Sequence, residues 1–139
     1  MVMSEKAYRY MLSRYAPAPP ERGGALGMRD GTVCAYVHDL SAPVADRAVY
    51  VPDTAFLNAR IEAWTEEGVS FCGLVHSHPA GQTGLSSGDL TYIERLFAEN
   101  GGLGRLYFPL VTDGRDVTVW AVAAENGRLS IRRERLTVV

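Results

Sequence analysis

The sequence predicts a single mixed α/β (α+β) domain, a layered sandwich with helices packed on a largely central sheet. Three observations predict it. Segments of helical and strand periodicity interleave along the chain. A short, continuously apolar run, Val69 to Val75 (VSFCGLV), has the character of a central strand covered on both faces. The C-terminal third reads as strands joined by tight turns, so that end of the sheet is antiparallel. With 139 residues, 47% of them hydrophobic and 22% charged, the chain can bury one sizeable core, and one domain over 1–139 is expected.

The elements follow in order. Tyr8, Met11, Leu12 and Tyr15 repeat at i, i+3, i+4, i+7 behind a possible N-cap at Ser4, which predicts a docked amphipathic helix over 4–16. Ala16-Pro17-Ala18-Pro19-Pro20 stops it, since proline lacks the donor and disfavours helix in the preceding residue. Ala25–Arg29 and Thr32–His38 read as a hairpin across Asp30-Gly31, and Ala48–Val51 as a further short strand. Pro52-Asp53-Thr54 opens a second helix whose Leu57, Ile61 and Trp64 share a face, with Gly68 ending it. The apolar run follows and leads directly into His76. Leu90, Ile93, Leu96 and Phe97 mark a third helix, closed by Asn100-Gly101-Gly102. Arg105–Thr112, Val117–Ala124 and Arg128–Val138 complete the set as strands, the last two joined at Glu125-Asn126-Gly127.

Composition removes several function classes. A net charge of −2 and a pI near 5.9 favour neither nucleic acid nor an anionic membrane as partner. Lys6 is the one lysine and sits at the N-terminus, so lysine-based covalent chemistry is set aside. Cys34 and Cys72 fall separately in apolar runs and read as buried, inert thiols rather than as a disulfide framework. The N-terminus has no long apolar core or small-residue cleavage site, and no run approaches the roughly 18 apolar residues of a membrane span. A cytoplasmic location is expected.

The chemistry lies in HSHPAGQTGLSSGD, His76 to Asp89. Side chains two apart on an extended segment share a face, so His76 and His78 leave the strand on the same side and can share a metal. Pro79 keeps the backbone at His78 extended. Ser86 and Asp89 fall where the third helix begins, and a carboxylate in that first turn is favoured in its ionised form. Two histidines, one aspartate and an open fourth position describe a catalytic zinc site, since structural sites close with four protein ligands and favour cysteine. Zinc lowers the pKa of a water in such a position from 15.7 to about 7 and polarises carbonyls. Taken apart, Ser86-x-x-Asp89 is an ordinary helix cap, and a lone His-x-His is ordinary surface or core histidine. The conjunction is rarer, arising by chance on the order of 10⁻⁴ times or less in a chain of this length.

The stretch is similar to the His-x-His-x7-Ser-x2-Asp signature of the JAMM (MPN-plus) zinc metalloproteases, and LSSGDL resembles wording seen in their deubiquitinating members. That family also uses a glutamate upstream, shortly before glycines at the start of a strand, and Glu21 in Glu21-Arg22-Gly23-Gly24 stands in that place. The resemblance runs from about Glu21 to Thr112. It implies a curved mixed sheet between helices, related to the cytidine deaminase fold. The deaminase signature of His-x-Glu with Pro-Cys-x-x-Cys is missing here, which disfavours base deamination. It further implies that His76, His78 and Asp89 bind zinc, that Glu21 acts as general base and then general acid, and that Ser86 donates to the oxyanion. Ser87 is adjacent but out of register. Glu5, the rival base, sits inside the first helix without the glycine context. Ser77 reads as shaping the loop, His38 as structural or exposed, and Arg132, Arg133 and Arg135 as a solvated strand face.

Relatives of this kind cut the amide after the C-terminal glycine of ubiquitin, a ubiquitin-like protein or a sulfur-carrier protein. Such a carrier is the expected substrate, with E1-like and E2-like proteins as possible associates. The short, arginine-rich chain fits a bacterial stand-alone enzyme. Two alternatives stand beside it: a non-catalytic MPN-type interaction module, and a small zinc peptidase acting on another glycine-rich peptide.

Overall fold

The computed structural model describes residues 1–16, 20–40 and 50–139. Among these, the elements run β1 (Val2–Met3), α1 (Glu5–Ser13), β2 (Gly23–Arg29), β3 (Thr32–His38), α2 (Thr54–Glu66), β4 (Ser70–His78), α3 (Ser87–Glu99), β5 (Leu106–Thr112), β6 (Asp116–Glu125), β7 (Arg128–Glu134) and β8 (Thr137–Val138). The strands form one mixed sheet in the order β7-β6-β5-β4-β2-β3-β1-β8. Only Arg135 and Leu136 lie between β7 and β8, the two opposite edges. Two linking residues reach about 10 Å at most, so the sheet must curl to bring its edges together. This is the expected mixed α+β domain with a curled sheet and three helices.

The helices begin where side-chain acceptors meet the free N–H groups of the first turn. Ser4 Oγ caps α1 through Ala7 N–H, Asp53 caps α2 through Phe56 N–H, and Ser86 caps α3 through Asp89 N–H. Asp30 and Gly31 both take positive φ, as do Asn126 and Gly127, the geometry that a two-residue hairpin turn requires. Of the segment Ala48–Val51, residues 48–49 lie outside those described, and Tyr50 and Val51 belong to no strand. The proline cluster likewise falls largely on 17–19, outside the described residues. The short strand β1 was not expected; it gains ladder partners on both sides, β3 and β8, both parallel to it.

Alternation along the strands splits the core in two. Met3, Met11, Leu26, Val33, Val75 and Val111 pack beneath α1, while Ala25, Leu57, Leu74, Ile93, Phe108 and Val122 pack against α2 and α3. Strand β4 lies between β2 and β5, covered on both faces. Gly73 marks a close approach there: a Cβ would lie 1.9 Å from the Tyr107 carbonyl oxygen of the neighbouring strand. Leu74, His76 and His78 leave β4 on the same side by alternation. Its C-terminal end therefore carries both imidazoles onto the α3 face.

Candidate metal centre

His76 and His78 end β4, and the loop after them is held by its own carbonyls. His78 Nδ1 lies 3.1 Å from the Gln82 carbonyl, and Trp120 Nε1–H donates to the Thr83 carbonyl at 2.8 Å. The loop returns to the N-terminus of α3. Ser86 Oγ accepts from Asp89 N–H at 3.1 Å, and Asp89 Oδ2 accepts from Ser86 N–H at 2.8 Å, a reciprocal capping box. The same carboxylate faces both imidazoles: Oδ1 lies 3.1 Å from His76 Nε2, Oδ2 3.1 Å from His78 Nε2, and the two Nε2 atoms are 2.9 Å apart. Capping and convergence on the histidines are thus served by one side chain.

These donors suit a divalent ion. A carbonyl can only accept, so His78 Nδ1 carries the proton and in the neutral ring turns the Nε2 lone pair toward Asp89. Lone pairs from two imidazoles and a carboxylate gathered within 3.1 Å repel unless a proton or a cation lies among them. Zinc bonds of 2.0–2.1 Å at tetrahedral angles space their ligands about 3.3 Å apart, close to the separations here. The side chains of His76, His78 and Asp89 are 11%, 5% and 13% exposed, dry enough to strengthen binding. Burial works to raise the Asp89 pKa, but hydrogen bonds with His76 and His78 override it and hold the carboxyl far below the usual range. The hydrogen bond to Asp89 raises His78 in turn, against the opposing effect of burial.

Glu21 joins them through the sheet. Pairing places Gly23 opposite His76, and backbone contact continues one residue further, between Arg22 and Ser77. Ser77 N–H donates to the Arg22 carbonyl at 2.8 Å and Ser77 Oγ accepts from Arg22 N–H at 2.9 Å, which fastens the segment just ahead of β2. Glu21, His76 and His78 consequently offer ligand atoms all within 4.8 Å of one another. Glu21 Oε2 accepts from Tyr50 N–H at 3.1 Å. The Tyr50 ring stacks on His76, centroids 6.3 Å apart, over Gly23, where a Cβ would come within 2.3 Å of the ring. A cavity of about 200 Å³ opens beside His76 and Asp89, walled by Tyr50, Leu74, Tyr92 and Phe108.

The remaining candidates lie elsewhere. Glu5 pairs with Arg9 on the exposed side of α1, and Ser87 is exposed in the first turn of α3. His38 is buried, with Nδ1 2.6 Å from Tyr36 Oη, which is 2.8 Å from Tyr15 Oη. Arg132, Arg133 and Arg135 are exposed. Cys34 and Cys72 are free thiols, and burial pushes Cys72 up to about 12. Tyr50, Asp39 and Trp120 shape the site, yet no motif in the sequence marks them.

No family model and no curated protein matches the sequence. Solved structures do. A JAB1/MPN domain protein from Archaeoglobus fulgidus aligns over 100% of this chain and 99% of its own, at TM-score 0.55 and 19% identity. The fold is that of a JAB1/MPN domain protein. A protein from Desulfitobacterium hafniense aligns over 99% of this chain and 92% of its own, at TM-score 0.67 and 17% identity. One from Salinibacter ruber aligns over 100% and 92%, at TM-score 0.57 and 22% identity. At such identities the likeness carries the fold and not the chemistry. Among the described residues, no helix is long and apolar enough to cross a membrane.

Proposed function

We propose that the chain is a zinc-dependent isopeptidase or peptidase that hydrolyses the amide after the C-terminal glycine of a ubiquitin-like or sulfur-carrier protein. One observation carries this: His76, His78 and Asp89 converge at metal-ligand spacing with a separate carboxylate, Glu21, held nearby. His76 Nε2, His78 Nε2 and an Asp89 oxygen would hold the ion. Zinc bound there supplies an acidified water and a polarised carbonyl. Glu21 takes the proton of the attacking water on a carboxylate oxygen and returns it to the leaving amine. Ser86 Oγ already accepts the Asp89 N–H, which leaves its own hydroxyl proton to donate to the oxyanion of the scissile carbonyl. A tail ending in glycine brings its carbonyl to this cluster with no side chain to clear Tyr50. E1-like and E2-like proteins, which attach such carriers, are the expected associates.

The test is incubation of the zinc-loaded protein with carriers bearing C-terminal extensions or amide-linked conjugates, read by mass spectrometry. Cleavage directly after the terminal glycine is expected, with Glu21→Gln inactive but zinc-bound and His76→Ala metal-free. Metal binding without cleavage of any carrier would turn the assignment toward another glycine-rich peptide, and absence of metal binding toward a scaffold.

A further inference from the structure

Glu21 stands outside regular structure, just before β2, so something must hold its carboxylate. Tyr50 N–H provides a hydrogen bond to Oε2, and Tyr50 is itself anchored at its other end. Its hydroxyl donates to Asp39 Oδ2 at 2.7 Å, and the same oxygen accepts from Asp53 N–H at 2.8 Å. Asp39 is 3% exposed and immediately follows β3, where its own N–H donates to the Gly23 carbonyl at 2.9 Å. Asp53 in turn caps α2 through Phe56 N–H. One buried aspartate therefore joins the end of β3 to the start of β2 by its amide, and to the 50–53 segment and the head of α2 by its carboxylate. Burial, then the bond to Asp39, drives the Tyr50 phenol well above its ordinary pKa, so the hydroxyl remains a donor.

We propose that Asp39 and Tyr50 form a clamp that positions Glu21, Asp39 fixing the tyrosine by its hydroxyl so that the tyrosine amide aims the Glu21 carboxylate. Both are positioning residues, since neither carboxylate nor phenol of the clamp reaches the reacting atoms. Tyr50 meets the site twice, by its amide at Glu21 and by its ring at His76, and the absent Cβ of Gly23 makes room for that ring. Tyr50→Phe cuts only the link to Asp39, because the ring and the amide remain.

Nuclear magnetic resonance of the metal-free protein tests the clamp without any activity. In the wild type, the residue-50 amide proton should lie downfield and move upfield in Glu21→Gln. Tyr50→Phe should shift that amide and the Glu21 side-chain carboxyl carbon together, while Asp39→Asn, which keeps an acceptor oxygen, should shift both less. Unchanged residue-50 amide and Glu21 carboxyl signals in a folded Tyr50→Phe protein would overturn the proposal. A kinetic arm rests on the isopeptidase assignment above: in Tyr50→Phe, kcat should fall roughly 10- to 100-fold with KM within about twofold, as misplacing a reacting group does. Equal loss in kcat and zinc binding would mean that Tyr50 merely supports the metal ligands, and would also overturn it. A wild type that cleaves no carrier refutes the assignment and leaves the resonance arm to decide the clamp. If Asp39→Asn does not fold, Tyr50→Phe decides alone.

Discussion

Two carboxylates approach the histidine pair, and deleting each in turn separates a zinc ligand from a proton acceptor. Asp89 oxygens lie 3.1 Å from both Nε2 atoms, near the roughly 3.3 Å that tetrahedral zinc imposes between ligands. Glu21 also offers a ligand atom within 4.8 Å of both histidines, but its Oε2 is already engaged by Tyr50 N–H, whereas Asp89 reaches both Nε2 atoms directly. Asp89 is therefore the expected ligand, and Glu21 is not. At free zinc one hundred times its Kd, linkage stabilises the wild type by about 2.7 kcal/mol. An unfolding entropy near 2.1 cal/mol/K per residue turns this into a melting-temperature rise of about 9 °C for 139 residues. Glu21→Gln should keep that rise. Asp89→Ala and His78→Ala, if they weaken binding about a hundredfold, retain about 0.4 kcal/mol, or one to two degrees, at the same zinc. Scanning calorimetry in zinc-buffered solution measures all four proteins. A full rise in Asp89→Ala together with its loss in Glu21→Gln would exchange the roles of the two carboxylates and refute the geometric reasoning.

The metal-free protein should respond to pH through the same cluster. His78 is raised, so its contribution to stability is complete below about pH 6.5 and fades as pH climbs through its folded value; Asp89 is lowered, so its contribution is present above about pH 4 and fades in acid. In chelator, melting temperature should therefore be higher at pH 6 than at pH 8, and the Asp89→Ala protein should lose that difference. Ser77→Ala removes the acceptor of the half-buried Arg22 N–H but spares the Ser77 N–H to Arg22 carbonyl bond. A loss of about 1 kcal/mol by urea denaturation is expected, with zinc affinity unchanged; a hundredfold fall in cleavage by a stable, zinc-bound variant would instead mark Ser77 as reactive. Gly73→Ala forces a methyl onto the Tyr107 carbonyl in the middle of the sheet and should cost more than about 4 kcal/mol, seen as loss of the native circular dichroism spectrum.

Much of this fold is local and so was legible in the chain. Ser4, Asp53 and Ser86 announce helix starts because their side chains answer nearby N–H groups, and Asp30-Gly31 and Asn126-Gly127 announce hairpins because they tolerate positive φ. His76, His78, Ser86 and Asp89 form a readable set since all lie on one strand–loop–helix unit. Tyr50 and Asp39 carry no such signal. The Tyr50 phenol meets its partner 11 residues away and the Asp39 carboxylate also accepts from a residue 14 away, and a phenol or carboxylate engaged at that range looks like any surface residue in a linear reading.

Sequence by itself determined the periodicities, the caps and turns, and the pairing of two imidazoles with a carboxylate over fourteen consecutive residues, because each depends on neighbours a few bonds away. Tertiary structure alone decided that Glu21 comes within 4.8 Å of both imidazoles, that Asp89 meets them at 3.1 Å, and that a buried aspartate accepts a hydrogen bond from the tyrosine beside them. Those distances are set by strand register and by the curl of the sheet, which follow from packing the whole core rather than from any single segment.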